Sequence, residues 1–127
     1  MSNIPADLRY TLFHQWVRDE GGGVLAVGLT DYARQALGDI EFLELPDTGK
    51  TVSRKEAVGT VESVKAANDI YAPLAGEIVA TNADAVATPQ SVNTDPYGVW
   101  LFKLTPAQGE PTDDLLTADQ YQAATGT

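Results

Sequence analysis

A single lysine stands in a small, apolar stretch at the centre of an acidic chain. Lys65 lies in residues 59–78, GTVESVKAANDIYAPLAGEI, whereas the whole chain has 18 acidic and 8 basic residues. Apolar segments on both sides of it predict a tight β-hairpin with Lys65 near the tip. A hairpin tip is exposed and rigidly supported, which suits a lysine that another enzyme must modify. An ordinary surface lysine on a turn has the same pattern, so spacing alone leaves both interpretations open.

The rest of the sequence offers little for catalysis. There is no cysteine and one histidine, His14. The chain therefore lacks disulfides, thiol nucleophiles and thiolate ligands, and it lacks the parts for a histidine-rich metal site or a Ser-His-Asp triad. It also lacks a glycine-rich phosphate loop. We therefore expect no metal site and predict that the protein is not an enzyme.

The charge of the chain limits its partners. The formal net charge is −10, which would repel nucleic acid and anionic membranes. A protein partner with a basic face is favoured, because opposite charges steer and speed such encounters. The alternative is that the charge only keeps the protein soluble, and both interpretations stay open.

The elements that must position Lys65 are many, short and separated by turns. Alternating or apolar runs predict strands over residues 10–18, 24–29, 40–45, 77–80 and 99–104, with a loop over 93–98. Gly28 is expected to be a bulge in the second strand. This pattern predicts a mostly β fold, a flattened barrel or sandwich with short peripheral helices.

Two helices have clear end signals. Thr30 or Asp31 can cap a short helix that ends at Gly38. Thr117 and Gln120 form a capping-box pattern that predicts a C-terminal helix. The length predicts one domain, residues 1–127, with the barrel at about 8–105 and a linker and helix at about 106–127.

The N-terminus and the hydropathy of the chain bear on its location. Residues 1–10, MSNIPADLRY, lack the basic start and apolar stretch of a signal peptide, and no apolar run approaches the length of a membrane span. We expect a cytoplasmic protein without membrane partners, and a monomer.

Several segments together match one family, in order and at family spacing. The motifs are HQWV at 14–17, VGLTDYA at 27–33, ALGDI at 36–40, LELP at 43–46, ESVKA at 62–66, DIYAP at 69–73, GE at 76–77, VN at 92–93, DPYG at 95–98 and WL at 100–101. This series resembles the glycine cleavage system H protein family, and the segment around Lys65 resembles its lipoyl-attachment region. The resemblance implies a lipoyl-domain-like hybrid barrel.

The resemblance implies a carrier function. In the family a lysine, matched here by Lys65, forms an amide with lipoic acid, and the arm shuttles an intermediate between enzymes. A lipoate ligase or a lipoyl/octanoyl transferase would attach the arm. The implied partners are a glycine decarboxylase that uses pyridoxal phosphate, a folate-dependent aminomethyltransferase and dihydrolipoyl dehydrogenase.

The resemblance also implies roles for residues near the lysine. Glu62, Ser63, Val64 and Ala66 match positions that modifying and partner enzymes would recognise. An ordinary exposed strand residue is the alternative for Glu62, and the resemblance favours recognition. Asp69 matches a position near which the loaded arm rests, and its carboxylate could hold an ammonium group. A simple turn of Asn68 and Asp69 remains the alternative.

The implied arm-binding cleft consists of Phe13, His14, Gln15 and Asp69, and two of these depart from the family. Gln15 stands where the family usually has Glu, and Phe13 where a small hydroxyl residue is common. Glutamine cannot neutralise an ammonium group. An alternative is therefore an H-protein-like lipoate-binding protein that carries sulfur intermediates and works with a heterodisulfide-reductase-like complex. For His14 the favoured interpretation is a packed strand residue with a satisfied ring, and lining the cleft is the alternative.

Overall fold

The computed structural model describes residues 4–126. Within them the chain forms nine strands: β1 Arg9–Tyr10, β2 Gln15–Gly21, β3 Val24–Leu29, β4 Ile40–Glu44, β5 Thr51–Val52, β6 Ala57–Ser63, β7 Ala67–Tyr71, β8 Gly76–Thr81 and β9 Phe102–Pro106. The same residues form four helices: α1 Asp31–Leu37, α2 Ala83–Ala87, α3 Gln90–Thr94 and α4 Ala118–Thr125. The predicted mostly β fold with short helices and a C-terminal helix is confirmed.

The strands form two antiparallel sheets of unequal size. The large sheet has the order β1-β2-β3-β9-β8-β5, and the small one has the order β4-β6-β7. The small sheet contains the β6–β7 hairpin that was predicted around Lys65. The hairpin is therefore supported by β4 along one side and by the large sheet behind it.

Two apolar clusters lie on opposite faces of the large sheet. Successive side chains of a strand point to opposite faces, so Val17 and Val27 face one way and Trp16 faces the other. Val27 belongs to the main core between the sheets. Trp16 packs with Tyr10 and with Tyr121 of α4 in a second cluster. The C-terminal helix thus covers the outer face of the large sheet.

The first predicted strand is divided by a turn. The prediction over residues 10–18 was wrong in this respect, since β1 ends at Tyr10 and β2 begins at Gln15. Between them the His14 N–H donates to the Thr11 carbonyl at 3.1 Å, and His14 has a left-handed φ of 64°. The turn was missed because its residues are β-formers without the usual glycine or proline signals.

Other differences concern element boundaries in the second half of the chain. The loop predicted over 93–98 begins inside α3, and α2 was not predicted. The strand predicted over 99–104 is β9, which begins three residues later. Short helices of this kind depend on tertiary packing more than on propensity. Both of them contact β4 or each other.

The predicted helix ends are confirmed. Thr30 caps α1, with its hydroxyl accepting from the Ala33 N–H at 3.2 Å. Gly38 ends that helix with a φ of 74°. Thr117 and Gln120 form the capping box of α4, each side chain accepting from the other's backbone N–H. Among residues 4–126, none of the helices has the length and apolar character needed to cross a bilayer.

Gly28 is a site of close approach, and the bulge predicted there was wrong. It pairs in register with Trp16, and the irregularity of this hairpin lies at Asp19–Gly21 instead. A Cβ at Gly28 would overlap the Trp16 indole ring. The indole N–H donates to the Pro96 carbonyl at 2.9 Å, which fixes the ring over the glycine.

We predict that Gly28→Ala lowers the free energy of unfolding by about 1–3 kcal/mol, because overpacking shifts the Trp16 ring. Urea unfolding followed by tryptophan fluorescence measures the change. Trp16→Phe in the same chain should relieve part of the overlap, so the two changes should be non-additive. Wild-type stability of Gly28→Ala would show that the ring moves at no cost.

Candidate functional site

Lys65 is held at the tip of a hydrogen-bonded turn. The Ser63 N–H donates to the Ala66 carbonyl at 2.8 Å. The Ser63 hydroxyl oxygen accepts from the backbone N–H groups of Lys65 and Ala66, each at 3.2 Å. The lysine side chain is exposed. Among residues 4–126 it forms no salt bridge, so its amine is presented to solvent on a fixed backbone.

The hairpin tip also contacts the end of α1. The Val64 N–H donates to the Asp39 carbonyl at 3.1 Å. The lysine side chain crosses Gly38, where a Cβ would lie 3.3 Å from Lys65 Cε. Gly38 has a left-handed φ, so glycine is favoured there both for the helix end and for the passage of the lysine chain.

The other residues predicted for recognition surround the lysine. Glu62 is exposed on β6, opposite Phe42 of β4. Val64 is 60% exposed and Ala66 is exposed. Ser63 is half-buried and its hydroxyl is engaged by the turn. Glu62, Val64 and Ala66 are thus accessible to a partner, whereas Ser63 shapes the backbone.

A cleft of about 300 Å³ lies between α1 and β7. It is lined by Leu12, Phe13, His14, Leu29, Ala33, Ala36, Leu37, Val61, Asn68, Asp69 and Tyr71. The helix contributes Ala33, Ala36 and Leu37, which lie on one helix face because they are three and four positions apart. The strand contributes Asn68, Asp69 and Tyr71. Most of the wall is apolar, with a few polar groups.

Three of the four predicted cleft residues line this cleft. Phe13 is 40% exposed and its ring stacks on Tyr71, with 4.3 Å between ring centroids. His14 and Asp69 lie on the wall. Asp69 is exposed and forms no salt bridge within the described part of the chain. Its carboxylate is available to a cation that enters the cleft.

The structure places Gln15 behind the cleft wall and not on it. The side chain is 1% exposed. Its Nε2 donates to the Tyr71 carbonyl at 2.7 Å, and its Oε1 accepts from the Tyr71 N–H at 3.0 Å. Gln15 therefore joins β2 of the large sheet to β7 of the small one and fixes the backbone of a cleft residue.

His14 belongs to both the cleft and the packing beneath α4. Its ring stacks on Tyr32, with 4.4 Å between centroids, and its Nδ1 lies 2.8 Å from the Tyr121 hydroxyl. Tyr121 in turn lies 2.9 Å from the Thr30 hydroxyl. Burial lowers the pKa of His14 from its ordinary 6.5, so the ring is neutral at pH 7.

No metal centre is evident in the described residues. Within 4–126 no group of three or more histidine, aspartate or glutamate side chains is placed to hold an ion. The arrangement is a presented lysine beside an apolar cleft with a few polar groups.

A hairpin lysine on a two-sheet β fold is the arrangement of a carrier domain that bears its cofactor on a lysine. The model of the family described as Glycine cleavage H-protein matches residues 8–127. The chain belongs to this family.

The relatives agree along the whole chain. It is 58% identical over 126 residues to a Glycine cleavage system H protein of Ralstonia nicotianae, with 99% of each chain covered. A protein of the same name from Burkholderia ambifaria is 60% identical over 121 residues, with 95% of this chain and 96% of that one covered. A crystal structure of a glycine cleavage system H protein from Mycobacterium marinum has a TM-score of 0.89 and 42% identity, and covers 98% of this chain and 100% of that one.

Membership fixes the general function. Proteins of this family carry lipoic acid bound covalently to a lysine and are not catalysts themselves. The chain is therefore a lipoyl carrier that shuttles intermediates between partner enzymes of glycine cleavage. These similarities support the glycine interpretation and give no support to the sulfur-carrying alternative.

Several cleft residues were not predicted from the sequence. Leu12, Ala36, Leu37 and Asn68 line the cleft, and Tyr71 is held by Gln15. The helical spacing of Ala33, Ala36 and Leu37 was a usable signal for one wall. No local pattern indicates that Gln15 reaches a residue 56 positions away.

We predict that Gln15→Glu lowers the free energy of unfolding by about 1–3 kcal/mol at pH 7, because a buried carboxylate cannot donate to the Tyr71 carbonyl. Urea unfolding measures the change. Gln122→Glu is the matched control, since Gln122 is exposed on α4. Equal stability of the two variants would contradict the bridging role of Gln15.

Proposed function

We propose that Lys65 is the residue that carries the lipoyl group, and that the arm moves between solvent and the cleft beside α1. The supporting observation is that an exposed lysine on a fixed turn sends its side chain across Gly38 toward the helix that walls the cleft. When bound, the lipoyl group supplies a dithiolane that is reduced and reoxidised during carriage.

The residues present fit such a group. Gly38 leaves room for the lysine chain, since a Cβ there would be tightly placed against Lys65 Cε at 3.3 Å. The side chains of Leu29, Leu37 and Val61 give the cleft an apolar wall, which suits the hydrocarbon part of the arm. The lack of cysteine in the chain means that no protein thiol competes by exchange with the arm.

We propose that the cargo is an aminomethyl group and that Asp69 holds its ammonium. The carboxylate lies on the cleft wall and has no salt-bridge partner among residues 4–126. A charge-assisted hydrogen bond to an ammonium is the contact it can form. Phe13, stacked on Tyr71, closes the cleft with apolar surface and reduces exchange with water. Gln15 takes no direct part, since both ends of its amide are engaged.

A tethered arm works through effective concentration. A group on a short flexible tether meets nearby sites as though present at about millimolar concentration. The intermediate then passes between enzymes without diffusing free. The protein's part is to present the lysine and to bind the partners, while the cofactor supplies the chemistry.

We propose that Glu62, Val64 and Ala66 are read by the enzyme that attaches the arm, a lipoate ligase or a lipoyl/octanoyl transferase. The proposed partners are the glycine decarboxylase, the aminomethyltransferase and dihydrolipoyl dehydrogenase, each approaching the acidic surface with a basic face. We propose the cytoplasm as the compartment, because a reduced dithiol persists best in a reducing environment.

We predict that Lys65→Arg folds with wild-type stability but gains no lipoyl mass when incubated with lipoate, ATP and a lipoate ligase. Arginine keeps the charge and removes the acylatable amine. Intact mass spectrometry gives the result directly. Lys55→Arg is the matched control, since Lys55 is also exposed, and it should be lipoylated fully. A lipoylated Lys65→Arg protein would show that the arm is attached elsewhere.

A further inference from the structure

The hydrogen bonds beneath α4 determine which nitrogen of His14 carries the proton. Thr30 is fully buried, and its hydroxyl oxygen accepts from the Ala33 N–H as the cap of α1. Its own hydrogen needs an acceptor, and among the described residues the Tyr121 oxygen, 2.9 Å away, is the one within reach. Tyr121 must therefore donate its hydrogen to His14 Nδ1, at 2.8 Å.

The reverse direction of this chain is unfavourable. If His14 Nδ1 donated to Tyr121, the phenol would donate to Thr30, and the Thr30 hydrogen would be left buried without a partner. Burial also raises the pKa of Tyr121 to about 12, so the phenol stays protonated. His14 Nδ1 is then the acceptor and Nε2 carries the hydrogen.

The Nε2–H group of His14 is accessible, and the residue that carries it lines the cleft. Within residues 4–126 every buried side-chain nitrogen or oxygen has a hydrogen-bond partner. The Nε2 atom of His14 has no partner among these residues, so it is not one of the buried atoms. It is therefore accessible, and His14 lines the cleft. The other polar side chains of that wall, Asn68, Asp69 and Tyr71, are exposed or half-exposed. His14 is the donor whose orientation is fixed by buried partners.

The distance from Lys65 suits the far end of the arm. The Lys65 chain lies against Gly38 at one end of α1, and His14 contacts Tyr32 in the first turn. The seven residues of α1 span about 10 Å, which the acyl chain of a lipoyl group can cover. The sulfur atoms of an arm lying along α1 would thus be near His14.

We propose that His14 donates a hydrogen bond from Nε2 to a thiolate of the reduced arm, and that Tyr121 is the positioning residue that holds the ring in this tautomer. This deepens the proposed function and rests on it. An N–H group is suited to an anionic sulfur because hydrogen bonds to charged acceptors are the stronger ones. In the same cleft, Asp69 would then bind a cationic group and His14 an anionic one.

The ring tautomer is tested first, on unlipoylated protein. His14 is the one histidine of the chain, so its ring nitrogens give unambiguous ¹⁵N signals above its pKa. We expect the Nε2–H tautomer in the wild type. Tyr121→Phe keeps the ring stacked on Tyr10 but removes the hydroxyl, and a mixture of tautomers is expected there. An Nδ1–H tautomer in the wild type would overturn the proposal.

The contact to sulfur is tested on lipoylated, reduced protein. Because the chain has no cysteine, the pH dependence of alkylation by iodoacetamide, followed by intact mass, reports the arm's thiols alone. His14→Asn is the matched variant. Asparagine tolerates the left-handed φ, and its Oδ1 can still accept from Tyr121, but it lacks the Nε2 donor. Asp69, Tyr32, Tyr71 and Tyr121 face this region unchanged in both proteins.

We expect about tenfold more thiolate at a given pH in the wild type than in His14→Asn, seen as a lower midpoint of the pH profile. Equal midpoints would overturn the proposal. A wild-type protein that gains no lipoyl mass would instead overturn the proposed attachment at Lys65 and the sulfur contact with it. That failure is recognised before any alkylation, and it leaves the tautomer result standing.

Discussion

The docking of the β6–β7 hairpin onto the end of α1 is the constraint on which the site depends. One backbone hydrogen bond, from the Val64 N–H to the Asp39 carbonyl, ties the hairpin tip to the second residue after α1. Gly38 makes this approach possible, because a side chain there would crowd the lysine that crosses it. The lysine is thereby exposed at its amine and guided along its stem. A carrier needs both properties, since its arm must be modified by one enzyme and then sheltered from water.

A second connection explains why the cleft has a fixed shape. Gln15 bridges the two sheets by pairing with both backbone groups of Tyr71, and Tyr71 carries the stacked Phe13. The other wall is anchored at His14, through Tyr121 and Thr30. The C-terminal helix thus acts on the cleft without lining it. The two residues that depart from the family therefore have different structural roles. Phe13 is part of the cleft surface, whereas Gln15 supports that surface from behind.

Local signals in the sequence predicted what local physics determines. The caps at Thr30 and Thr117, the helix end at Gly38 and the hairpin around Lys65 all follow from short-range geometry. The prediction that Gln15 lines the cleft was the most consequential error. It could not be avoided from local patterns, because the partner of Gln15 is 56 positions away and its role depends on how the sheets pack. The bulge predicted at Gly28 was wrong for a similar reason. Glycine is needed there because the indole of Trp16 on the neighbouring strand occupies the space of a side chain. The left-handed turn at His14 was not predicted, because its sequence has no glycine or proline.

The central claim is that an arm on Lys65 carries an aminomethyl group, and one measurement addresses it most directly. Lipoylated, reduced protein is incubated with glycine and the glycine decarboxylase, and its intact mass is followed. The account predicts a lipoyl increment on the chain and then a further increment for an aminomethyl group. A lipoyl increment that never gains the second one, with an active decarboxylase, would contradict the account and favour a carrier of sulfur.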